Sequence, residues 1–153
     1  MNEQHVSGRL TIDLGALQTN YKTLAAQMPR AETGAAIKAD AYGLGLAPCA
    51  TSLWAAGCRS FFVARPLEGE ELRAVLPEAT IYVLDGLYTG QVDYYLQHRL
   101  VPSLISIEEA REWAGKGQGA PCALHVDSGI NRVSLSFDEF AAVVAEKIGR
   151  AHV

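Results

Sequence analysis

The sequence predicts an α/β fold built on a parallel sheet. Five apolar, strand-like runs are centred near residues 35, 62, 82, 102 and 124, about 20 to 27 residues apart. Each is followed by a stretch of helical periodicity, and regular β-α alternation favours parallel strands joined by crossover helices. No G-x-G-x-x-G turn follows the first run, so the open doubly wound sheet lacks its usual support but stays open as an alternative. The other topology is a (β/α)8 TIM-like barrel, which needs eight units and typically about 250 residues. With 153 residues the chain would supply about five of the eight βα units.

The elements follow in order. Residues 9–12 (RLTI) read as a short strand with no place inside a barrel, contributed to a second β domain that is otherwise absent. Asp13 then caps a helix with Leu14, Leu17, Tyr21, Leu24 and Met28 on one face, ending before Pro29. Residues 33–38 form the first barrel strand, and 39–45 a loop. Residues 48–56 form a helix stopped by Gly57. The runs 60–64 (SFFVA) and 80–84 (TIYVL) are strong strands, separated by a helix over 66–76 with Pro66 in its first turn. A helix over 89–98 leads to strand 100–104. Ser106 and Glu109 make a capping box for the next helix. Residues 123–126 and 137–146 are the last strand and helix. The expected organisation is therefore an amino-terminal strand segment over 1–13, a partial barrel domain over 14–147, and a tail over 148–153.

Composition narrows the function classes. The chain is 49% hydrophobic, enough for one domain with a core, and its net charge is −4 with no long run of like charge. Nothing there suggests a nucleic-acid partner. Cys49, Cys58 and Cys122 are odd in number and form no C-x-x-C pair, so reduced thiols in a cytoplasmic protein are expected rather than a zinc site or disulfides. His5, His98 and His152 share no metal-ligand spacing, so no metal is expected. No secretory signal and no apolar run of about 18 residues is present, so no membrane partner is expected. Trp54 and Trp113 read as packing residues, and the acidic run at 68–71 as a solvated helix start favoured by the dipole.

Two segments carry candidate chemistry. In A-A-I-K-A-D-A-Y-G-L-G (35–45), Lys38 ends an apolar strand, at the edge where barrels place their active sites. A partly desolvated amine there suits Schiff-base chemistry with an aldehyde, although a lysine in that position also snorkels to water. Tyr42, four residues on, can hydrogen-bond a phosphate. The second segment is L-H-V-D-S-G-I-N-R-V-S (124–134). Arg132 follows a tight turn after the fifth strand, and its always-charged fork suits a carboxylate. Asp127 organises that turn and is not read as catalytic. His125 reads as a core histidine bonded to backbone.

These segments resemble known ones. I-K-A-D-A-Y-G-L-G is similar to the cofactor-lysine motif of alanine racemases, V-K-A-D-A-Y-G-H-G. The opening R-L-T-I-D-L-G-A-L-Q-T-N-Y resembles that family's first strand and helix. D-S-G-I-N-R-V-S resembles its D-T-G-M-N-R-L-G segment. Leu44, Ser128, Ile130 and Ser134 depart from the family pattern without removing a reactive group, and His125 stands where some members carry a modified lysine.

The resemblance implies a fold type III enzyme dependent on pyridoxal 5'-phosphate, interconverting L- and D-alanine through an external aldimine and supplying D-alanine for peptidoglycan. It implies that Lys38 carries the cofactor and works as base on one face, that Tyr42 reaches the phosphate, and that Arg132 lies near the cofactor's phenolic oxygen and the substrate carboxylate. The opposite base would be a tyrosine from a later part of the family chain, shared across a homodimer. A chain of this length is thus expected to be truncated and inactive alone. Its last hexapeptide, which one frame of a common sequencing adapter encodes, is expected to be non-native. The alternatives are a non-catalytic barrel that binds the same cofactor, a related racemase acting on serine or another amino acid, and a decay product without binding activity.

Overall fold

In the computed structural model, residues 8–146 are described. The first element is helix α1 (Leu14–Gln27), started as expected by Asp13, whose carboxylate accepts from the Ala16 N–H at 2.9 Å. Leu14, Leu17 and Tyr21 pack against the core. The lower half of the predicted apolar face does not: Leu24 and Met28 are 61% and 59% exposed. Residues 9–12 do not form the expected strand and lie outside the sheet.

Five parallel strands follow, β1 (Ala35–Ala36), β2 (Ser60–Val63), β3 (Thr80–Val83), β4 (Leu100–Leu104) and β5 (Ala123–Leu124). They are hydrogen-bonded in the order β1-β2-β3-β4-β5. That sequential order decides between the two topologies. A doubly wound sheet reverses direction at a switch point, whereas a barrel adds each new strand beside the last. The chain therefore forms a partial barrel, as expected. The end strands are shorter than their apolar runs suggested, β1 keeping two residues and β5 two, with one further bridge between Val126 and Leu135.

Alternation within the strands sets inside from outside. Phe61 and Val63 of β2 and Ile81 and Val83 of β3 are fully buried, and belong to the core that the helices cover. Their neighbours Phe62 and Tyr82 occupy the other face, stacked with ring centroids 4.9 Å apart, beside a cleft of about 260 Å³ shared with Ser60 and Ser103. The connecting helices are α3 (Leu46–Ala55), α4 (Pro66–Val75), α5 (Val92–Gln97), α6 (Ile107–Lys116) and α7 (Phe137–Ala145). Gly69 lets α4 lie close to the sheet, because a Cβ there would stand 2.8 Å from Leu100 Cδ2. Both tryptophans pack: Trp113 is buried with its Nε1–H donated to the Ala120 carbonyl at 3.0 Å, and Arg59 lies 4.1 Å over the Trp54 ring.

Two local expectations change. Ser106 caps α6 by accepting from the Glu109 N–H at 3.2 Å, but the Glu109 carboxylate turns to the Ile105 and Leu87 N–H groups instead of closing the box. Residues expected to form a loop after Lys38 instead make a helical turn, α2 (Lys38–Gly43). Ala39, Asp40, Ala41 and Tyr42 in it are left-handed, with φ between 52° and 57°. That conformation costs an L-residue about 1–2 kcal/mol, so neighbouring contacts must hold the turn in place.

Candidate functional site

The carboxyl ends of the strands open into a cavity of about 450 Å³, a size that suits a small organic ligand. Its walls come from the ends of four of the five strands: Lys38 after β1, Ala64 after β2, Leu84, Asp85 and Tyr88 after β3, and His125, Ile130, Arg132 and Val133 after β5. Lys38 and Arg132, 94 residues apart in sequence, thus face one space. Lys38 is half-buried; Arg132 is exposed on the loop that leaves β5.

Lys38 is placed by the backbone on both sides of it. The Ile37 N–H donates to the Phe62 carbonyl at 2.9 Å, the last rung between β1 and β2. The Ala39 N–H donates to Glu68 Oε1 at 2.8 Å. The left-handed turn then closes through Ala41 N–H to the Ile37 carbonyl at 2.9 Å, Gly45 N–H to the Asp40 carbonyl at 2.9 Å, and Leu46 N–H to Asp40 Oδ1 at 2.6 Å. Ala41 is the buried residue of the turn. Tyr42 is 64% exposed and is not among the residues lining the cavity.

The Arg132 loop is organised by Asp127, as the sequence suggested. Its Oδ1 accepts from the Gly129 and Asn131 N–H groups at 2.8 and 3.0 Å. Those bonds favour the ionised carboxylate and hold it below its ordinary range. His125 departs from expectation. Its backbone is paired, donating to Leu104 and accepting from Leu135, but its side-chain Nδ1 is buried with no hydrogen-bond partner among the described residues. His125 lines the cavity, while its Nδ1 is itself shut off from solvent.

Asp85 and Tyr88 were not singled out from the sequence. They follow β3 directly, and position just after a barrel strand was the available signal. The Tyr88 hydroxyl donates to Asp85 Oδ2 at 3.4 Å, and burial, followed by the Asp85 charge, raises the Tyr88 phenol above its ordinary range. The cavity therefore combines one amine, one guanidinium, one carboxylate, a phenol and an imidazole, with apolar walls from Leu84, Ile130 and Val133. Such a set can hold an anionic, carbonyl-bearing ring. Among the described residues no group of three or more His, Cys, Asp or Glu is arranged to hold a metal ion, and no helix is long and apolar enough to cross a membrane.

The chain is similar to known proteins in both sequence and fold. The family model described as the alanine racemase N-terminal domain matches residues 12–152. Alanine racemase of Methylobacterium sp. (strain 4-46) is 51% identical over 139 residues, covering 88% of this chain and 38% of that protein. The biosynthetic alanine racemase of Agrobacterium fabrum is 46% identical over 146 residues, covering 93% and 37%. Among solved structures, alanine racemase from Bartonella henselae with covalently bound pyridoxal phosphate superimposes with a TM-score of 0.85 at 34% identity, covering 90% of this chain and 40% of that one. The biosynthetic enzyme of Pseudomonas aeruginosa gives 0.81 at 28% identity, covering 92% and 39%. The chain spans 38% and 37% of the first two relatives' length. Matched by the family model over nearly its whole length, the chain belongs to the alanine racemase family and carries that family's N-terminal domain.

Proposed function

We propose that the chain is the cofactor-lysine portion of a pyridoxal-phosphate-dependent alanine racemase, acting on L- and D-alanine as part of a longer cytoplasmic, homodimeric protein. The observation that carries the reading is the shared cavity of Lys38 and Arg132 at the carboxyl rim. The residues present fit the cofactor: the half-buried Lys38 can bond its aldehyde, and Arg132 on the same cavity supplies a cation for an anionic group. When bound, the cofactor acts as an electron sink that acidifies the proton on the substrate α-carbon.

The chain's own residues have distinct tasks in this reading. Lys38 Nζ would hold the cofactor by its aldehyde, and its free amine can take or return the α-proton on one face of the substrate. Arg132 would bind the substrate carboxylate through its planar fork and, by the family resemblance, serve the cofactor's phenolic oxygen. Tyr42, exposed on the same turn as Lys38 and outside the cavity lining, would be the residue to reach a phosphate at the cavity's edge. Leu84, Ile130 and Val133 give the cavity its apolar walls. Inverting a carbon centre needs a second proton carrier on the opposite face. In the family pattern that is a tyrosine from later in the chain of the partner subunit.

The test is a fusion of residues 1–146 to the remaining portion of the 51% identical Methylobacterium racemase. The fusion is expected to form D-alanine from L-alanine, while its Lys38→Arg variant and the 153-residue chain alone show no appreciable turnover. An inactive fusion that folds and binds cofactor, or turnover surviving Lys38→Arg, would overturn the proposal.

A further inference from the structure

The geometry points to Glu68 as a positioning residue for Lys38: its carboxylate fastens the strained turn after the lysine to the neighbouring strand end. The inference rests on the reading of Lys38 as the cofactor lysine, but the contacts stand without it. Glu68 is the third residue of α4, where a carboxylate ordinarily bonds the N–H groups of its own helix start. Its Oε2 does so, accepting from the Ala64 N–H at 2.7 Å and the Arg65 N–H at 3.2 Å. Oε1 does something capping does not require. It accepts the Ala39 N–H at 2.8 Å, across 29 residues of sequence, from the residue following Lys38.

Comparison within the fold separates this bond from ordinary capping. Glu139, also third in its helix, keeps its bonds to Ser136 within its own turn. Glu109 repeats the inter-loop arrangement one pair of strands further on, joining Leu87 N–H at 3.1 Å to Ile105 N–H at 3.0 Å. Gly86 makes room for it, since a Cβ there would stand 2.7 Å from the Glu109 carboxylate. Two glutamates thus join loops in pairs around the rim, and the pair joined by Glu68 includes the Lys38 turn.

The consequence for Lys38 is direct. Its backbone is fixed before it by the Ile37–Phe62 rung and after it by Glu68. Four consecutive left-handed residues follow, none of them glycine, so the turn has a built-in tendency to relax. Removing one anchor lets that relaxation carry the lysine away from its cavity position. Glutamine cannot replace the carboxylate, because only one of its two terminal atoms accepts hydrogen bonds. Either the Ala39 bond or the Ala64 and Arg65 pair must then be lost.

The test compares Glu68→Gln with Glu109→Ala in the 153-residue chain. One measurement is amide hydrogen exchange at Ala39 without cofactor; the other is the rate at which borohydride traps pyridoxal phosphate on Lys38. The unaltered chain should protect the Ala39 amide, and Glu68→Gln should lose that protection and slow trapping by about tenfold. Glu109→Ala, which removes the one oxygen that accepts from both Leu87 and Ile105, should lower stability at least comparably while leaving both readouts within about twofold of the parent, as expected for a contact that does not touch the Lys38 turn. Equal slowing in the two variants, or parent-like trapping in Glu68→Gln, overturns the inference. An Ala39 amide that exchanges freely in the unaltered chain overturns it without any variant. Absence of trapping in the unaltered chain with Ala39 protected counts against Lys38 as the cofactor lysine, and leaves the Glu68 tie supported by its exchange readout.

Discussion

Replacing Ala39 with glycine probes the strain beside Lys38. Ala39 sits at φ 52° and ψ 54°, its side chain is exposed, and its N–H bond to Glu68 survives the change. Relief of the left-handed penalty is worth about 1–2 kcal/mol. The greater backbone freedom of glycine in the unfolded chain offsets about 0.5–1 kcal/mol, and no buried surface is lost. The expected net effect is a stabilisation of about 0.5–1 kcal/mol. For a chain of this size that raises Tm by roughly 1–3 °C. The control is Ala26→Gly, at an exposed position in the right-handed last turn of α1. There the same substitution should destabilise, by up to about 1 kcal/mol. Thermal and urea unfolding followed by circular dichroism distinguish the two. Opposite signs are expected, and a Tm loss in Ala39→Gly matching that of Ala26→Gly would refute the strain argument.

Two further predictions concern the frame around the site. Arg73 donates to the carbonyls of His98, Ala79 and Arg99 at 3.0, 2.7 and 2.8 Å and to Pro77 at 2.9 Å, joining two loops at the other end of the strands. Arg73→Met should therefore lower unfolding free energy by about 2–4 kcal/mol, measured by urea denaturation, and a loss below about 0.5 kcal/mol would contradict it. Asp127 has its acidity strengthened by the Gly129 and Asn131 N–H groups. A carboxyl lowered on folding stabilises above its unfolded value and loses that contribution as pH falls through the folded one. Asp127→Asn should flatten the acid limb of the stability curve below about pH 4, and an acid limb identical to the parent's would be inconsistent with the bonds described.

Much of the fold was legible because it rests on repeating signals. The runs at 60–64 and 80–84 combine β-branched and aromatic residues with alternation, and both became central strands. The run at 33–38 holds a glycine and two alanines, which have weak strand preference, and only Ala35 and Ala36 pair. Leu24 and Met28 fit the helical period of α1 but stay exposed, because periodicity names a face and not what covers it. The left-handed turn was illegible: positive φ is signalled by glycine or asparagine, and Ala39 to Tyr42 contain neither. Its conformation is imposed by Glu68, Asp40 and Ile37 through tertiary and turn contacts. The acidic run at 68–71 read as solvated for the same reason. Glu68 instead bridges two loops, and Glu70 accepts from the Tyr94 hydroxyl, which burial and that bond push up to about 12. In the site, Lys38 and Arg132 were legible from motifs, whereas Tyr88 and Asp85 needed the fold. The expected pairing of His125 with backbone holds for its main chain only. The anticipated tail over 148–153 lies outside the described residues.

The central claim is that Lys38 carries the cofactor. It is tested most directly by incubating the 153-residue chain with pyridoxal 5'-phosphate, reducing with borohydride, and mapping the labelled peptides by mass spectrometry. The account predicts one dominant adduct, on Lys38, that Lys38→Arg abolishes. Labelling spread over the exposed Lys22 and Lys116, or persisting in the Lys38→Arg variant at the parent level, would contradict it.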